Sequence, residues 1–178
     1  MKLVSPLHAA AVLILALAAS APGASVLAAA PGAAPPADPY QPLAFLVGHC
    51  WKGTFPGSTR TDEHCFSRLY GGRFLRDEHV VHRDGAADAF GETLYVWNSV
   101  AGQLEYLYIE SDGGFIRGTV QTQGRTLVFP EAPYVDDGKS MQVRSRWQPS
   151  GESAYEVATE FQVDGRWVPG FSLSMRRE

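Results

Sequence analysis

Short runs of β-branched and aromatic residues alternate with polar residues along the chain after position 43. No segment in this region keeps a helical period of apolar positions for more than a turn or two. Gly, Asp, Ser and Pro separate the runs at intervals of about 8–14 residues, which is typical of β-strands joined by tight turns. The pattern predicts strands at residues 44–55, 62–70, 73–83, 90–98, 103–110, 114–121, 125–129, 140–148, 153–162 and 167–176.

Most of the connections between these strands contain residues that favour hairpin turns, such as Ser111-Asp112-Gly113 and Asp164-Gly165. Longer loops are predicted only at 84–89 and 130–139. Consecutive hairpins describe an up-and-down sheet, and closing that sheet into a barrel removes its exposed edges. The predicted fold is therefore all-β, an up-and-down antiparallel barrel of about ten strands. An open sandwich is the alternative.

The first three predicted strands contain both cysteines and four of the five histidines. With a tight turn between each pair of strands, Cys50 lies opposite Cys65, and His64 lies opposite His79. Opposed residues of an antiparallel pair have Cα atoms roughly 4.5–5.5 Å apart, a separation that a disulfide can bridge. We therefore predict a Cys50–Cys65 disulfide. Two free thiols are the alternative, which an oxidising compartment disfavours.

The N-terminal region has the features of a secretory signal peptide, predicted at residues 1–28. An apolar run at 9–19 follows a weakly positive start, and Ala28 ends a small-x-small cleavage site. The run is shorter than the roughly 20 residues of a spanning helix, so an uncleaved anchor is the less favoured alternative. We predict a disordered Ala/Pro-rich leader at 29–42 and a single barrel domain at 43–178. The protein is then periplasmic or secreted, with no stable membrane insertion after cleavage.

Charge excludes one class of partner. The chain has 15 Lys and Arg against 19 Asp and Glu, giving a formal net charge of -4. The basic residues form no cluster, so nucleic acid is not expected as a partner.

One face of the first three strands carries most of their apolar and aromatic side chains and should point into the barrel. Polar and charged residues lie among them, whereas a solid barrel would be filled by aliphatic side chains. Aromatic walls with a few polar groups are typical of small-ligand cavities. The predicted pocket-lining residues are His49, Trp51, His64, Phe66, Arg68, Asp77, His79, Tyr95 and Tyr106.

The tyrosines of the fourth and fifth strands are also predicted to pair. A tight turn places Tyr95 opposite Tyr106, and the next turn places Tyr108 opposite Arg117. Tyrosines also lie on barrel exteriors with their hydroxyls in water, so the pattern does not decide which face of 90–121 points inward. Glu110 is expected on the outside.

Several segments together resemble the calycin group: Gly48-His49-Cys50-Trp51, residues 69–75 (LYGGRFL), Tyr95-Val96-Trp97-Asn98 and Asp164-Gly165-Arg166-Trp167. In particular, residues 43–178 resemble an uncharacterised family of exported bacterial lipocalin-like domains. Ten-stranded barrels of the nitrobindin type are a more distant likeness. The resemblance implies a barrel with an internal hydrophobic pocket, and it implies no catalytic residue and no haem ligand. Two residues rather than one separate Gly48 from Trp51, a departure that would fit a β-bulge at His49-Cys50.

The leading functional hypothesis is an exported protein that binds a small hydrophobic or amphipathic molecule inside the barrel. Arg68, His64 or His79 would meet the polar end of that molecule. No cofactor is predicted.

Two alternatives belong to other classes. The first is a metalloprotein or enzyme that uses His49, His64 and His79, since imidazole suits zinc, copper or iron. The spacing matches no named metal signature, and no Gly-x-Ser-x-Gly motif is present, so a binding protein is favoured over an enzyme. The second is an interaction or inhibitor protein that acts through loops 84–89 and 130–139.

Overall fold

Ten antiparallel strands form a closed barrel in the computed structural model, which describes residues 37–178. Each strand pairs with the next one in sequence, and the first pairs with the last to close the sheet. The predicted all-β, up-and-down barrel is therefore confirmed, and the open sandwich is not formed. The strands are β1 (Cys50–Thr54), β2 (Thr61–Leu69), β3 (Phe74–His82), β4 (Ala89–Asn98), β5 (Gln103–Glu110), β6 (Phe115–Gln123), β7 (Thr126–Asp136), β8 (Lys139–Pro149), β9 (Ala154–Val163) and β10 (Arg166–Arg177).

The register between β1 and β2 is the predicted one. Cys50 pairs with Cys65 with their Cα atoms 4.1 Å apart, and the two form a disulfide. His64 of β2 also pairs with His79 of β3, as expected from the tight turn between them. Turn chemistry alone therefore fixed the relative positions of the first three strands.

The predicted register between β5 and β6 is wrong by one residue. Tyr108 pairs with Ile116 and not with Arg117. The turn contains three residues, 111–113, closed by a hydrogen bond from the Glu110 N–H to the Gly114 carbonyl at 3.0 Å. A three-residue loop shifts the register by one position relative to a two-residue loop.

The predicted loop at 130–139 is also wrong, because most of it is strand. β7 continues to Asp136, and a tight turn follows in which both Asp137 and Gly138 have positive φ angles, of 44° and 70°. Two positive φ angles at the centre of a hairpin are typical of a type I′ turn. The register between β7 and β8 shifts between Phe129 and Ala132, which accommodates Pro130 in a bulge.

The first strand, predicted at 44–55, begins only at Cys50. Residues 38–47 instead close one end of the barrel. We call this segment the N-terminal plug. It contains a 3₁₀-helix, Gln41–Leu43, and it buries Tyr40, Leu43 and Leu46. The hydroxyl of Tyr40 donates a hydrogen bond to the carbonyl of Arg73 at 2.7 Å. It also accepts one from the Trp97 N–H at 3.2 Å.

The plug also bears on the predicted domain boundaries. Residues 37–42, the end of the predicted leader, belong to the described structure, and Tyr40 is only 1% exposed. The packed region therefore begins before residue 43. The predicted signal peptide at 1–28 lies outside the described residues. Within 37–178, no helix has the length and apolar character needed to cross a membrane.

Candidate functional site

A cavity of about 410 Å³ occupies the end of the barrel opposite the N-terminal plug. This volume lies in the range of small-molecule sites, about 300–1,000 Å³. We call it the barrel cavity. Its lining residues come from β2 to β10. Eight of them are aromatic: Tyr95, Tyr106, Tyr108, Phe129, Tyr134, Trp147, Phe161 and Phe171.

The cavity has one polar wall and one apolar wall. β2 and β3 lie across the barrel from β7 and β8. The first pair contributes two aspartates and two histidines to the lining. The second pair contributes the apolar side chains of Phe129, Met141, Val143 and Trp147, together with Tyr134, Arg144 and Ser145. The rings of His64 and Trp147 approach to 6.0 Å between centroids. The two walls therefore touch where these rings meet.

His64 lies between two carboxylates on the polar wall. Its Nδ1 is 2.8 Å from Asp77 Oδ2, and its Nε2 is 3.2 Å from Asp62 Oδ2. Both ring nitrogens of an imidazole can donate only when the ring is protonated. Burial lowers the pKa of His64, but attraction to Asp77 and Asp62 outweighs burial and raises this pKa well above its ordinary value. His64 is therefore an imidazolium at neutral pH.

His79 is the second histidine of the wall, and it is in the opposite protonation state. Its ring stacks on His64 at 4.8 Å and on Tyr108 at 5.4 Å between centroids. Burial, together with the adjacent charge of His64, lowers the pKa of His79, so its ring is neutral at neutral pH. Gly91, which pairs with His79 across the strands, leaves the room that this ring occupies.

Glu110 forms a third acidic group towards the open end of the cavity. One of its oxygens accepts a hydrogen bond from the Tyr108 hydroxyl at 2.7 Å, and the other accepts one from the Tyr134 hydroxyl. Burial and these bonds to a carboxylate raise the pKa of both tyrosines. Both phenols are therefore neutral donors, and Glu110 is held in place by them.

Three polar atoms of the polar wall have no hydrogen-bond partner among the described residues: Asp62 Oδ1, Asp77 Oδ1 and His79 Nδ1. Asp62 and Asp77 are only 7% and 1% exposed. A buried polar atom without a partner carries a desolvation cost of about 1–3 kcal/mol. Such atoms at a cavity wall are positions where a ligand or water can supply the missing partner.

Five of the nine predicted lining residues meet at the barrel cavity, namely His64, Asp77, His79, Tyr95 and Tyr106. Trp51 and Phe66 also point into the barrel, but they are packed in the core below the cavity and do not line it. The indole N–H of Trp51 donates to the carbonyl of Leu46 in the plug at 3.2 Å. The plug thus fills the part of the interior that the sequence pattern assigned to a ligand.

His49 and Arg68, also predicted to line a pocket, do not line the barrel cavity. His49 precedes β1 and its side chain is exposed. Arg68 lies on β2 at the plug end of the barrel, where its guanidinium pairs with Asp38 at 2.6 Å and lies over the Tyr40 ring. Arg68 therefore holds the plug and is not available to an internal ligand.

The predicted alternative of a metal site at His49, His64 and His79 is not assembled, because His49 is outside the cavity. Donor atoms of His64, Asp77 and His79 do lie within 4.8 Å of one another. However, both nitrogens of His64 already face carboxylates, and the His64 and His79 rings stack at 25°. Stacked imidazoles do not direct their lone pairs to a common point, so the geometry favours a hydrogen-bonded ion cluster over metal coordination.

The sequence interpretation missed several cavity residues, of which Asp62, Glu110 and Trp147 matter most. A signal was available for each. Asp62 precedes His64 by two positions, and Glu110 follows Tyr108 by two, so period-2 alternation places each on the face of its neighbour. Trp147 lies in a strand whose inward face could be recognised only after its pairing with β7 was known.

No protein-family model matches the chain, and no curated protein matches it. The closed ten-stranded antiparallel barrel is consistent with a calycin-like architecture. The assignment of function therefore depends on the chemistry of the barrel cavity.

Proposed function

We propose that the protein is an exported, calycin-like carrier that binds a small amphipathic molecule in the barrel cavity. The observation that carries this proposal is the cavity of about 410 Å³, with an aromatic wall opposite a wall of buried polar atoms that lack partners. Ligand pockets in proteins combine such apolar surroundings with a few polar groups that fix orientation. A molecule with an apolar body and one polar end matches both walls.

Export is supported by the disulfide between Cys50 and Cys65, because disulfides persist in oxidising compartments. It is also supported by the predicted signal peptide at 1–28. The lipocalin-like resemblance supports the same class of function, since it implies an internal pocket. The interaction hypothesis is weakened, because one of its two predicted loops, 130–139, is largely strand.

A neutral, environment-sensitive dye such as N-phenylnaphthylamine tests the proposal. We expect enhanced dye fluorescence on binding, with submillimolar affinity. A Ser145→Trp substitution places a bulky side chain on the cavity lining and should abolish the signal. Ser99→Trp, in the exposed turn between β4 and β5, is the matched control and should bind the dye as the unsubstituted protein does.

Two results would contradict the proposal. If the dye does not bind to the folded protein, the cavity does not accept an apolar body of this size. If Ser145→Trp binds the dye as well as Ser99→Trp does, with both variants folded, binding occurs elsewhere on the molecule.

A further inference from the structure

We propose that the barrel cavity selects organic cations, namely small molecules that join an ammonium or amidinium group to an aromatic or aliphatic body. This inference deepens the proposed function and rests on it. It differs from the expectation drawn from the sequence, in which Arg68, His64 or His79 would meet the polar end of the ligand.

The first observation is the imbalance of charge around the cavity. Three carboxylates line it, on Asp62, Asp77 and Glu110, whereas the cationic groups of the lining are His64 and Arg144. His64 lies between two of those carboxylates, which balance its positive charge. Arg144 bonds to Glu160 at 2.7 Å. The cavity therefore retains more negative charge than its own cations balance.

The second observation is the kind of polar atom that remains without a partner. Asp62 Oδ1 and Asp77 Oδ1 have no donor among the described residues, and both side chains are more than nine-tenths buried. A carboxylate oxygen can only accept a hydrogen bond. A ligand group that pairs with either oxygen has to be a donor, and a charged donor forms the stronger bond because both groups are then ionised. A carboxylate on the ligand would instead face these oxygens with a like charge.

The third observation is the aromatic wall opposite these carboxylates. The rings of Trp147 and His64 form a T-shaped pair at 6.0 Å between centroids, and the rings of Trp147 and Phe129 lie 4.7 Å apart. The faces of aromatic rings attract cations, by about 0.5–2 kcal/mol according to exposure. An ammonium group in the cavity would therefore meet a lining that includes both carboxylates and aromatic rings. A neutral hydrogen-bond donor would gain less from either.

The experiment compares three probes of similar size and different charge: phenethylamine, phenethyl alcohol and hydrocinnamate. Each competes with the neutral dye N-phenylnaphthylamine at about pH 7, where the three are cationic, neutral and anionic. We expect phenethylamine to bind at least about tenfold more tightly than the alcohol, a difference of about 1.4 kcal/mol. Hydrocinnamate should bind most weakly. Zinc ion alone serves as a fourth competitor.

Asp62→Asn tests which group carries the preference, because it keeps the shape of the side chain and removes its charge. We expect the ratio of amine to alcohol affinity to fall at least threefold. Asp88→Asn is the matched control, since Asp88 is exposed in the loop between β3 and β4 and pairs with His82. It should leave the ratio unchanged.

The outcomes separate this inference from the proposed function. If the dye binds but the alcohol or the acid competes as well as the amine, the cavity is a carrier site without cation selectivity, and the inference is overturned. Zinc displacing the dye at concentrations where the amine has no effect would assign the carboxylates to a metal and would also overturn it. If Asp62→Asn does not fold, the ranking of the probes on the unsubstituted protein decides alone.

Discussion

Gly91 is the position where a single methyl group should disturb the polar wall most directly. It lies in β4 opposite His79, and a Cβ atom built on it would be 2.7 Å from His79 Nε2 and 2.9 Å from Nδ1. Ordinary van der Waals contact begins at 3.4 Å. The imidazole cannot easily move aside, because it is stacked between His64 and Tyr108.

The expected size of the effect follows from two opposing contributions. Overpacking a filled interior typically costs about 1–3 kcal/mol. Replacing a strand glycine by alanine otherwise gains roughly 0.5–1 kcal/mol, because glycine loses more backbone entropy on folding. Gly91→Ala alone should therefore destabilise the protein by less than the full steric cost. In a His79→Ala background the steric cost disappears, and Gly91→Ala should be neutral or stabilising.

A double-mutant cycle measures the difference between the two backgrounds. The free energy of unfolding is obtained from urea titrations followed by tryptophan fluorescence. We expect a coupling energy of about 1–3 kcal/mol between positions 91 and 79. Gly118→Ala is the control, because its Cβ would meet the ring of Tyr106 at 2.7 Å and not that of His79. Its cost should be the same in both backgrounds.

A coupling energy below about 0.5 kcal/mol, which is the scatter expected of independent sites, would show that Gly91 and His79 do not interact in this way. Stabilisation of the protein by Gly91→Ala while His79 is present would show the same. Either result would mean that the His79 ring is free to leave the position between its two stacked neighbours.

Three further predictions concern stability. Replacing Cys50 and Cys65 by alanine should lower the free energy of unfolding by about 3 kcal/mol in urea titrations, since the disulfide spans 15 residues. An equal stability would contradict this. Tyr40→Phe removes both hydrogen bonds of a buried hydroxyl and should lower the unfolding free energy by about 1–3 kcal/mol in the same assay. An unchanged midpoint would show that the plug does not depend on it. Because the pKa of His64 is raised in the folded state, its stabilising contribution is complete below about pH 6.5 and is lost as pH rises through the folded-state pKa. The unfolding free energy should therefore fall as pH rises above about 6.5, and less so in His64→Gln. A flat profile would argue against the imidazolium. The pKa of His79 is lowered in the folded state. For this residue, the unfolding free energy therefore decreases as pH falls below about 6.5.

Much of the barrel could be predicted because turn residues fix register locally. The pairs Cys50–Cys65 and Tyr95–Tyr106 followed from the position of each turn alone. The same method failed between β5 and β6, where Gly113 and Gly114 leave the length of the turn undetermined. Two prolines were misleading, since Pro130 lies in the bulge between Phe129 and Ala132 and Pro133 pairs with Gln142 within the strand.

The site was harder to predict because its boundaries depend on packing between distant segments. The apolar residues of 43–47 look like a buried strand, and only the folded chain shows that they close the barrel end. Arg68 was assigned to the ligand for the same reason, since its partner Asp38 lies in the plug. The polar wall, by contrast, comes from two neighbouring strands, so alternation was enough to bring together His64, Asp77 and His79.

The pairing of β1 with β10 has a consequence for how this chain reaches its native state. β1 has five residues and pairs with β10 through Trp51 and Lys52. Because these two strands lie at opposite ends of the barrel sequence, their pairing carries the largest loop-closure entropy in the fold. Closure is therefore expected to be a late folding step, and until it occurs both strands expose unpaired edges that can join another chain. The disulfide between Cys50 and Cys65 attaches the short β1 to β2. Once this bond has formed, the final docking step brings together two strands that already belong to one continuous sheet.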